Sequence, residues 1–287
     1  MKKRMLLTVA AAFGLLSVIA LFPVRQAAHA QGNTPRDFVP PVVFQAAGPD
    51  AESIQGAVDA YRAALGNPNN GNAAGPLAAG RREINWDGGG STATAPLPPV
   101  TPFNVFLTPP VDRGAQFTTP GTGLTQAPPS GGPQGGLAML FDNPTYGTIF
   151  NTFSDPRLFT PVGSNITEAL FFIPGTNGGT PATVSGFGAV FTDVDKPDGS
   201  GPSQDRSSRG ASTLIEYFGA SGALLFSSFV PASPGDGSLS FFGIVFDDAR
   251  IARVRITTGN VAPGPDDDAR NDIVVMDDFI YGEPQSL

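Results

Sequence analysis

Two adjacent carboxylates, Asp277 and Asp278, stand inside the apolar run D-I-V-V-M-D-D-F-I-Y-G from Asp272 to Gly282. Paired carboxyl groups can divide acid and base work between them, or they can hold a cation. On an extended strand, neighbouring side chains point to opposite faces, so these two share one substrate only if a bulge intervenes. Regular alternation puts Ile273, Val275 and Phe279 on one face and Val274, Met276 and Ile280 on the other. With both faces apolar, at least one acid needs compensation by backbone N–H groups, an arginine or a cation. A structural calcium or a buried Arg157 is the expected partner, and a solvated strand end is the alternative.

A second acidic cluster is Asp193-Val194-Asp195-Lys196-Pro197-Asp198-Gly199. Asp193 and Asp195 share a face about 7 Å apart on a strand, and Asp198 can fold back through the Pro-Asp-Gly turn. Calcium takes six to eight oxygens, so three carboxylates and loop carbonyls suffice. The spacing is one residue too long for an EF-hand, and Gln204 stands where its terminal Glu belongs, which leaves an irregular calcium loop or a polar turn. Asp266-Asp267-Asp268 with Asp272 reads as a solvated loop, since three consecutive acids repel and diverge. Arg206-Ser207-Ser208-Arg209 reads as an exposed loop as well. The residues on which a sugar ring would stack are Trp86, Tyr146 and Tyr217, although Trp86, beside Ile84, equally suits a core.

Several chemistries are excluded. The chain opens M-K-K-R, continues through an apolar block from Met5 to Phe22, and reaches Ala28-His29-Ala30 before Gln31, the three parts of a secretory signal with cleavage near Gln31. The only histidine, His29, lies in that leader, and there is no cysteine. The expected mature chain therefore has no Ser-His-Asp or Cys-His catalysis, no imidazole or thiolate metal site, and no disulfide. Gly219-Ala220-Ser221-Gly222-Ala223 falls short of a nucleophile elbow by its last glycine. Cleavage also removes Lys2, Lys3, Arg4 and Arg25, which makes a formal charge of -8 more negative still. Such a surface repels phosphate backbones, and with Lys196 the one remaining lysine there is no P-loop. The expectation is a secreted protein, periplasmic or extracellular, with no nucleic-acid partner and no membrane insertion after cleavage.

These residues must be positioned by β-structure. Residues 31–49 are Pro-rich and read as an extended arm. Asp50 then caps a helix in which Ile54, Ala57, Val58, Tyr61 and Leu65 form one stripe, stopped by Gly66 and Pro68. The stripe should pack on a sheet and cover it. After a turn-rich loop over 67–80, short β-type runs separated by Gly, Pro, Asn and Asp continue to the end. Expected strands cover 83–86, 103–107, 115–118, 137–141, 148–153, 166–173, 182–192, 212–218, 224–230, 239–246, 251–257 and 273–281. In Ala252-Arg253-Val254-Arg255-Ile256 the arginines share one face, as a half-buried strand requires. Of 27 aromatic residues, 22 are Phe, 4 Tyr and 1 Trp, a composition for filling a core between sheets. The expected organisation is leader 1–30, arm and helix 31–81, β-domain 82–284 and tail 285–287.

The runs Val184 to Phe191, Ser240 to Phe246, Ile251 to Ile256 and Val275 to Gly282 resemble, in that order, the C-terminal half of a module found in uncharacterised secreted bacterial proteins. Many of those carry PEP-CTERM sorting tails, and their modules are similar to galactose-binding-like and lectin-like sandwiches. Gly80-Arg81-Arg82-Glu83-Ile84-Asn85-Trp86-Asp87-Gly88 also resembles a recurrent signature of such proteins. The resemblance implies an all-β, antiparallel jelly-roll β-sandwich preceded by a short helix and arm. The chain ends Glu283-Pro284-Gln285-Ser286-Leu287 without the membrane helix and basic end of a sorting tail, so a released protein is expected.

The leading expectation for function is a non-catalytic binding module for an extracellular glycan or cell-surface polymer, with calcium in a structural role. A glycoside-cleaving enzyme working through two carboxylates is the first alternative, with Glu83, Glu168 and Glu216 as the strand-borne acids. A structural matrix or envelope component is the second.

Overall fold

The computed structural model describes residues 39–88, 96–131, 135–195, 213–265 and 271–287. The leader, Asp198, Arg206, Arg209 and Asp266 to Asp268 lie outside them. The fold is all-β and antiparallel. The strands are β1 Val42–Gly48, β2 Arg81–Ile84, β3 Ala115–Thr118, β4 Gly123–Ala127, β5 Leu158–Val162, β6 Ile166–Phe171 and β7 Ala182–Thr183. They continue with β8 Gly186–Thr192, β9 Leu214–Phe218, β10 Leu224–Phe229, β11 Leu239–Val245, β12 Arg253–Thr257, β13 Val275–Gly282 and β14 Gln285–Ser286. The larger sheet runs β1-β11-β8-β13-β5-β4, with β2 also paired to β13, and the smaller runs β10-β9-β12-β6-β3. β14 pairs with β7.

The two sheets close on an aromatic core. Phe187, Phe279 and Tyr281 of the larger sheet meet Phe117 and Phe171 of the smaller one. The sheets differ in what lies behind them, and their sequences show it. β3, β6 and β12 alternate buried with part-exposed residues, as strands open to water on one side do. β8 and β13 are buried at every position, because the larger sheet is covered on its outer face too.

Two separate elements make that cover. Helix α1, Ala51–Leu65, is capped by Asp50, whose carboxylate accepts the Ser53 N–H at 2.9 Å. Its buried stripe is Ile54, Val58, Tyr61 and Leu65, the residues expected from their spacing, and it packs against Val190, Leu239, Phe241 and Ile280. Helices α2, Gly136–Leu140, and α3, Tyr146–Ile149, cover the other end of the sheet, joining Leu137 and Tyr146 to Leu158, Ile273 and Val275.

Tyr61 sits in a slot made by two glycines. Gly188 of β8 and Gly243 of β11 are direct cross-strand partners. A Cβ on either would lie 2.9 Å from the Tyr61 ring, so only glycine lets the ring approach the backbone. The ring reaches the sheet and its hydroxyl faces the carbonyls of Ile244 and Ile280, each at 3.4 Å.

The local differences from the sequence reading have identifiable causes. Residues 137–141 and 148–153 were expected as strands but hold α2 and α3, since short apolar runs fit a buried helical turn as well as a strand. Residues 103–107 hold a 3-10 turn, Val105–Leu107. Residues 42–48 of the expected arm are the edge strand β1, which follows Pro40 and Pro41 and pairs along its whole length with β11. β4 and β5 were missed, the first for its Gly-Leu-Thr-Gln-Ala composition and the second for its internal Pro161. The two-sheet architecture is as expected, while jelly-roll connectivity stays with the resemblance that suggested it.

Gly243→Ala should destabilise the protein by about 1–3 kcal/mol, the usual cost of overpacking, read as a lower urea midpoint. Unchanged stability would show that the ring is not held by the slot.

Candidate functional site

The site forms where β13 changes partners. Met276 pairs with Phe159 of β5, whereas Phe279 pairs with Ile84 of β2. On its other edge β13 stays with β8, but the register slips between Met276 and Phe279, which pair with Phe191 and Ala189. That slip is a β-bulge at Asp277-Asp278. It resets the alternation expected from sequence: Val274, Met276, Phe279 and Tyr281 all join the inter-sheet core, and Val275 and Ile280 the outer clusters. The two acids are thereby released from opposite faces and brought together.

Both are buried, Asp277 fully and Asp278 to 4 % exposure. Asp277 Oδ2 accepts the N–H of Phe153 at 2.6 Å and of Ser154 at 3.3 Å. Ser154 Oγ donates to Asp278 Oδ1 at 2.6 Å, and the two carboxyl groups hydrogen bond to each other. That last bond requires a proton. Burial, reinforced by the Asp278 charge, pushes the Asp277 carboxyl well above the usual aspartate range. Burial also raises Asp278, against the opposing effect of the Ser154 and Asp277 hydrogen bonds and of Arg62. Asp87, near both, is itself raised by burial. Burial therefore favours the protonated form at both carboxyl groups, most strongly at Asp277.

Side chains from three segments surround the pair. Arg62 of α1, next to Tyr61 in its slot, places Nη2 3.0 Å from Glu83 Oε2 and 3.6 Å from Asp278 Oδ2. Glu83 Oε1 also accepts from Arg81 Nε at 2.6 Å. Arg62, Glu83, Asn85, Asn69, Gly71, Arg113, Ser154 and Asp278 line an open cleft of about 390 Å³. Its far wall is the 67–80 loop, fastened by a buried ion pair. Arg82 Nε and Nη2 donate to the two Glu283 oxygens at 2.8 and 2.7 Å. Asn70 and the Leu77 N–H complete that carboxylate, and Arg82 Nη1 reaches the Gly71 carbonyl at 2.9 Å.

Behind the cleft, Trp86 fills the gap between β2 and β5. Its backbone is left-handed at φ 62°, strained for a bulky residue. The turn sends its indole inward, stacked on Phe159 at 3.6 Å with edge contacts to Phe103, Phe117 and Phe279. Nε1–H donates to the Asp277 carbonyl at 3.1 Å, satisfying a carbonyl at the bulge.

The expected sugar platform is corrected by this geometry. Trp86 is 1 % exposed, and Tyr146 and Tyr217 are fully buried, so none offers a ring face to a ligand. Tyr146 bonds Gly264 and Tyr217 the Phe187 carbonyl; internal acceptors make them core residues. The metal expectation includes Asp198, which lies outside the described residues. Among the described residues no three acidic side chains converge on a cation position. Asp277 and Asp278 are compensated by backbone N–H groups, Ser154 and Arg62. Arg157 is not their partner: it donates through Nη1 to the Gly88 carbonyl at 2.8 Å, beside Asp87. Asp193 is buried with a left-handed backbone, while the Asp195 carboxylate accepts the Gly235 N–H at 3.2 Å. Glu168 is bridged to Arg253 and Arg255 on the smaller sheet, away from the cleft.

Ser154, Arg62, Asn85 and Arg113 were not singled out from sequence. Besides Asp277 and Asp278 themselves, the 80–88 signature pointed here, since it contributes Arg81, Arg82, Glu83, Asn85, Trp86 and Asp87. Comparison of the chain with protein families, curated proteins and solved structures returns no match.

Arg82→Met should cost about 3–5 kcal/mol by leaving Glu283 buried without its counter-charge, and adding Glu283→Gln should recover much of it in urea denaturation. The acid pair has the opposite pH signature from ordinary carboxylates. Because folding raises these pKa values, their contribution is complete below the unfolded aspartate pKa and is lost as pH rises through the folded value. Asp277→Asn keeps the acceptor for Phe153 and Ser154 and a donor toward Asp278 without a charge to bury. Its denaturation midpoint at about pH 8 should equal or exceed that of the parent, with a flatter decline above about pH 5. A parent protein gaining stability over that range would contradict the upward shift of these carboxyl groups.

Proposed function

We propose that this protein is a secreted binding module whose ligand is a polyhydroxylated unit, a sugar of an extracellular glycan or cell-surface polymer, held in the cleft between α1, β2 and β13. The observation that carries this reading is the lining. A cleft of about 390 Å³, within the range of small-molecule sites, is walled by guanidinium, carboxylate, carboxamide and hydroxyl groups. Both donors and acceptors line it, which suits hydroxyl groups that both give and accept hydrogen bonds.

The groups are also held in place. Arg62 is fixed by Glu83 and Asp59, and Arg113 by the Glu83 carbonyl and Asn72, so a ligand orders few side chains on arrival. Opposite charges sit side by side, favouring a neutral polar ligand over an ion. The contacts are polar rather than aromatic. Glycoside cleavage by Glu83 gains no support, since both its oxygens are taken by Arg62 and Arg81 and none is free to protonate a leaving group.

Binding of the mature protein to a glycan array, followed by titration calorimetry on the hits, tests the proposal. Asn85, exposed and with its side chain free to meet a ligand, is the residue to change. Asn85→Ala should weaken binding about tenfold, the equivalent of ~1.4 kcal/mol, with an unchanged melting temperature. A parent protein that binds no glycan would sink the reading, and full affinity in Asn85→Ala would place the site elsewhere.

A further inference from the structure

The same cleft holds a hydroxyl in an unusual setting. Ser154 Oγ lies 2.6 Å from one oxygen of the Asp278 carboxyl, and Arg62 Nη2 lies 3.6 Å from the other. Asp277, behind Asp278, hydrogen bonds to it and is itself anchored by the Phe153 and Ser154 N–H groups. Ser154, Arg62 and Asp278 all border the cleft. A hydroxyl, a carboxylate base oriented by a second carboxyl, and a cation on the far side of that base are the parts of an acyl-transfer site that needs no histidine.

We infer that Ser154 is a nucleophile toward carboxylic esters, with Asp278 as its general base and Arg62 as the group that stabilises the oxyanion. The inference rests on the cleft being the ligand site and extends it from binding to chemistry. The Ser154 Oγ–H bond breaks and its proton passes to Asp278 as Oγ bonds to the ester carbonyl carbon. The carbonyl π pair moves onto the oxygen, which faces Arg62 Nη2. Collapse restores the carbonyl and breaks the carbon–oxygen bond to the alcohol, and the departing alkoxide takes the proton from Asp278. Water, deprotonated by the same carboxylate, then attacks the acyl-serine and releases the acid, and the proton returns to Ser154.

The spacing suits this sequence. One carboxylate holds the nucleophile at one oxygen and the guanidinium at the other, so a carbonyl oxygen directed to Arg62 brings its carbon to the Ser154 side. Asp277 acts as a positioning residue, since its hydrogen bond keeps Asp278 turned toward Ser154 while remaining out of contact with the cleft.

The test uses the mature protein with a fluorophosphonate probe and with p-nitrophenyl acetate. A covalent adduct mapped to Ser154 by peptide mass spectrometry is expected, and this readout needs no variant. Ester turnover should fall by at least about a hundredfold in both Ser154→Ala and Asp278→Asn, with far-ultraviolet circular dichroism unchanged. Absence of an adduct at Ser154, or turnover in Ser154→Ala equal to the parent, would overturn the inference. Glycan binding without labelling would overturn it while leaving the binding reading intact, and labelling without glycan binding would do the reverse.

Discussion

One extra residue in β13 organises this molecule. Without the bulge at Asp277-Asp278, strict alternation would put Phe279 and Tyr281 on the face opposite Val274 and Met276, and either the inter-sheet core or the helix interface would receive the wrong side chains. With it, all four reach the core and Ile280 turns outward to α1. The two acids absorb the irregularity. They leave the strand on the side where the Phe153 and Ser154 amides wait, and the Asp277 carbonyl, facing the gap between β2 and β5, is taken by Trp86. Core register and site chemistry thus have the same cause.

The helix contributes by a similar economy. Gly188 and Gly243 let Tyr61 lie against bare backbone, which fixes the rotation of α1 about its axis as well as its height above the sheet. Arg62, the next residue, then has little choice of direction and reaches Glu83 and Asp278. An Arg on a freer helix would lose side-chain entropy to make those bonds, but here tight apolar packing has already placed its backbone.

Much of this was legible before the structure. The 3.6-residue stripe of α1 identified its buried face residue by residue, and the alternation in β12 distinguished a sheet open on one side. The need to compensate Asp277 and Asp278 also followed from their apolar surroundings. What compensates them did not, because Phe153, Ser154 and Arg62 lie far away in sequence and are delivered by a register slip that composition does not encode. Trp86, Tyr146 and Tyr217 misled for a related reason. A ring with a polar tip suits a sugar platform or a core equally well, and the choice depends on whether a carbonyl such as those of Asp277, Gly264 or Phe187 stands within the fold to receive it.

The location of the cleft follows from how the outer face of the large sheet is covered. α1 packs over one end and the α2–α3 segment over the other, and the apolar cover of both stops short of the point where β13 passes from β5 to β2, where α1 presents the polar Arg62 instead. Continuous pairing there would present backbone already satisfied by its neighbours. The hand-over instead leaves N–H and C=O groups that side chains must meet, and the chain supplies carboxylates, a hydroxyl, an indole and guanidinium groups. Such groups are costly to bury, so they gather where apolar cover ends and water can still enter. A polar cleft with a strained tryptophan beneath it is the physical outcome, and the strain is tolerable because Trp86 stacks on Phe159 and meets four further core phenylalanines edge-on.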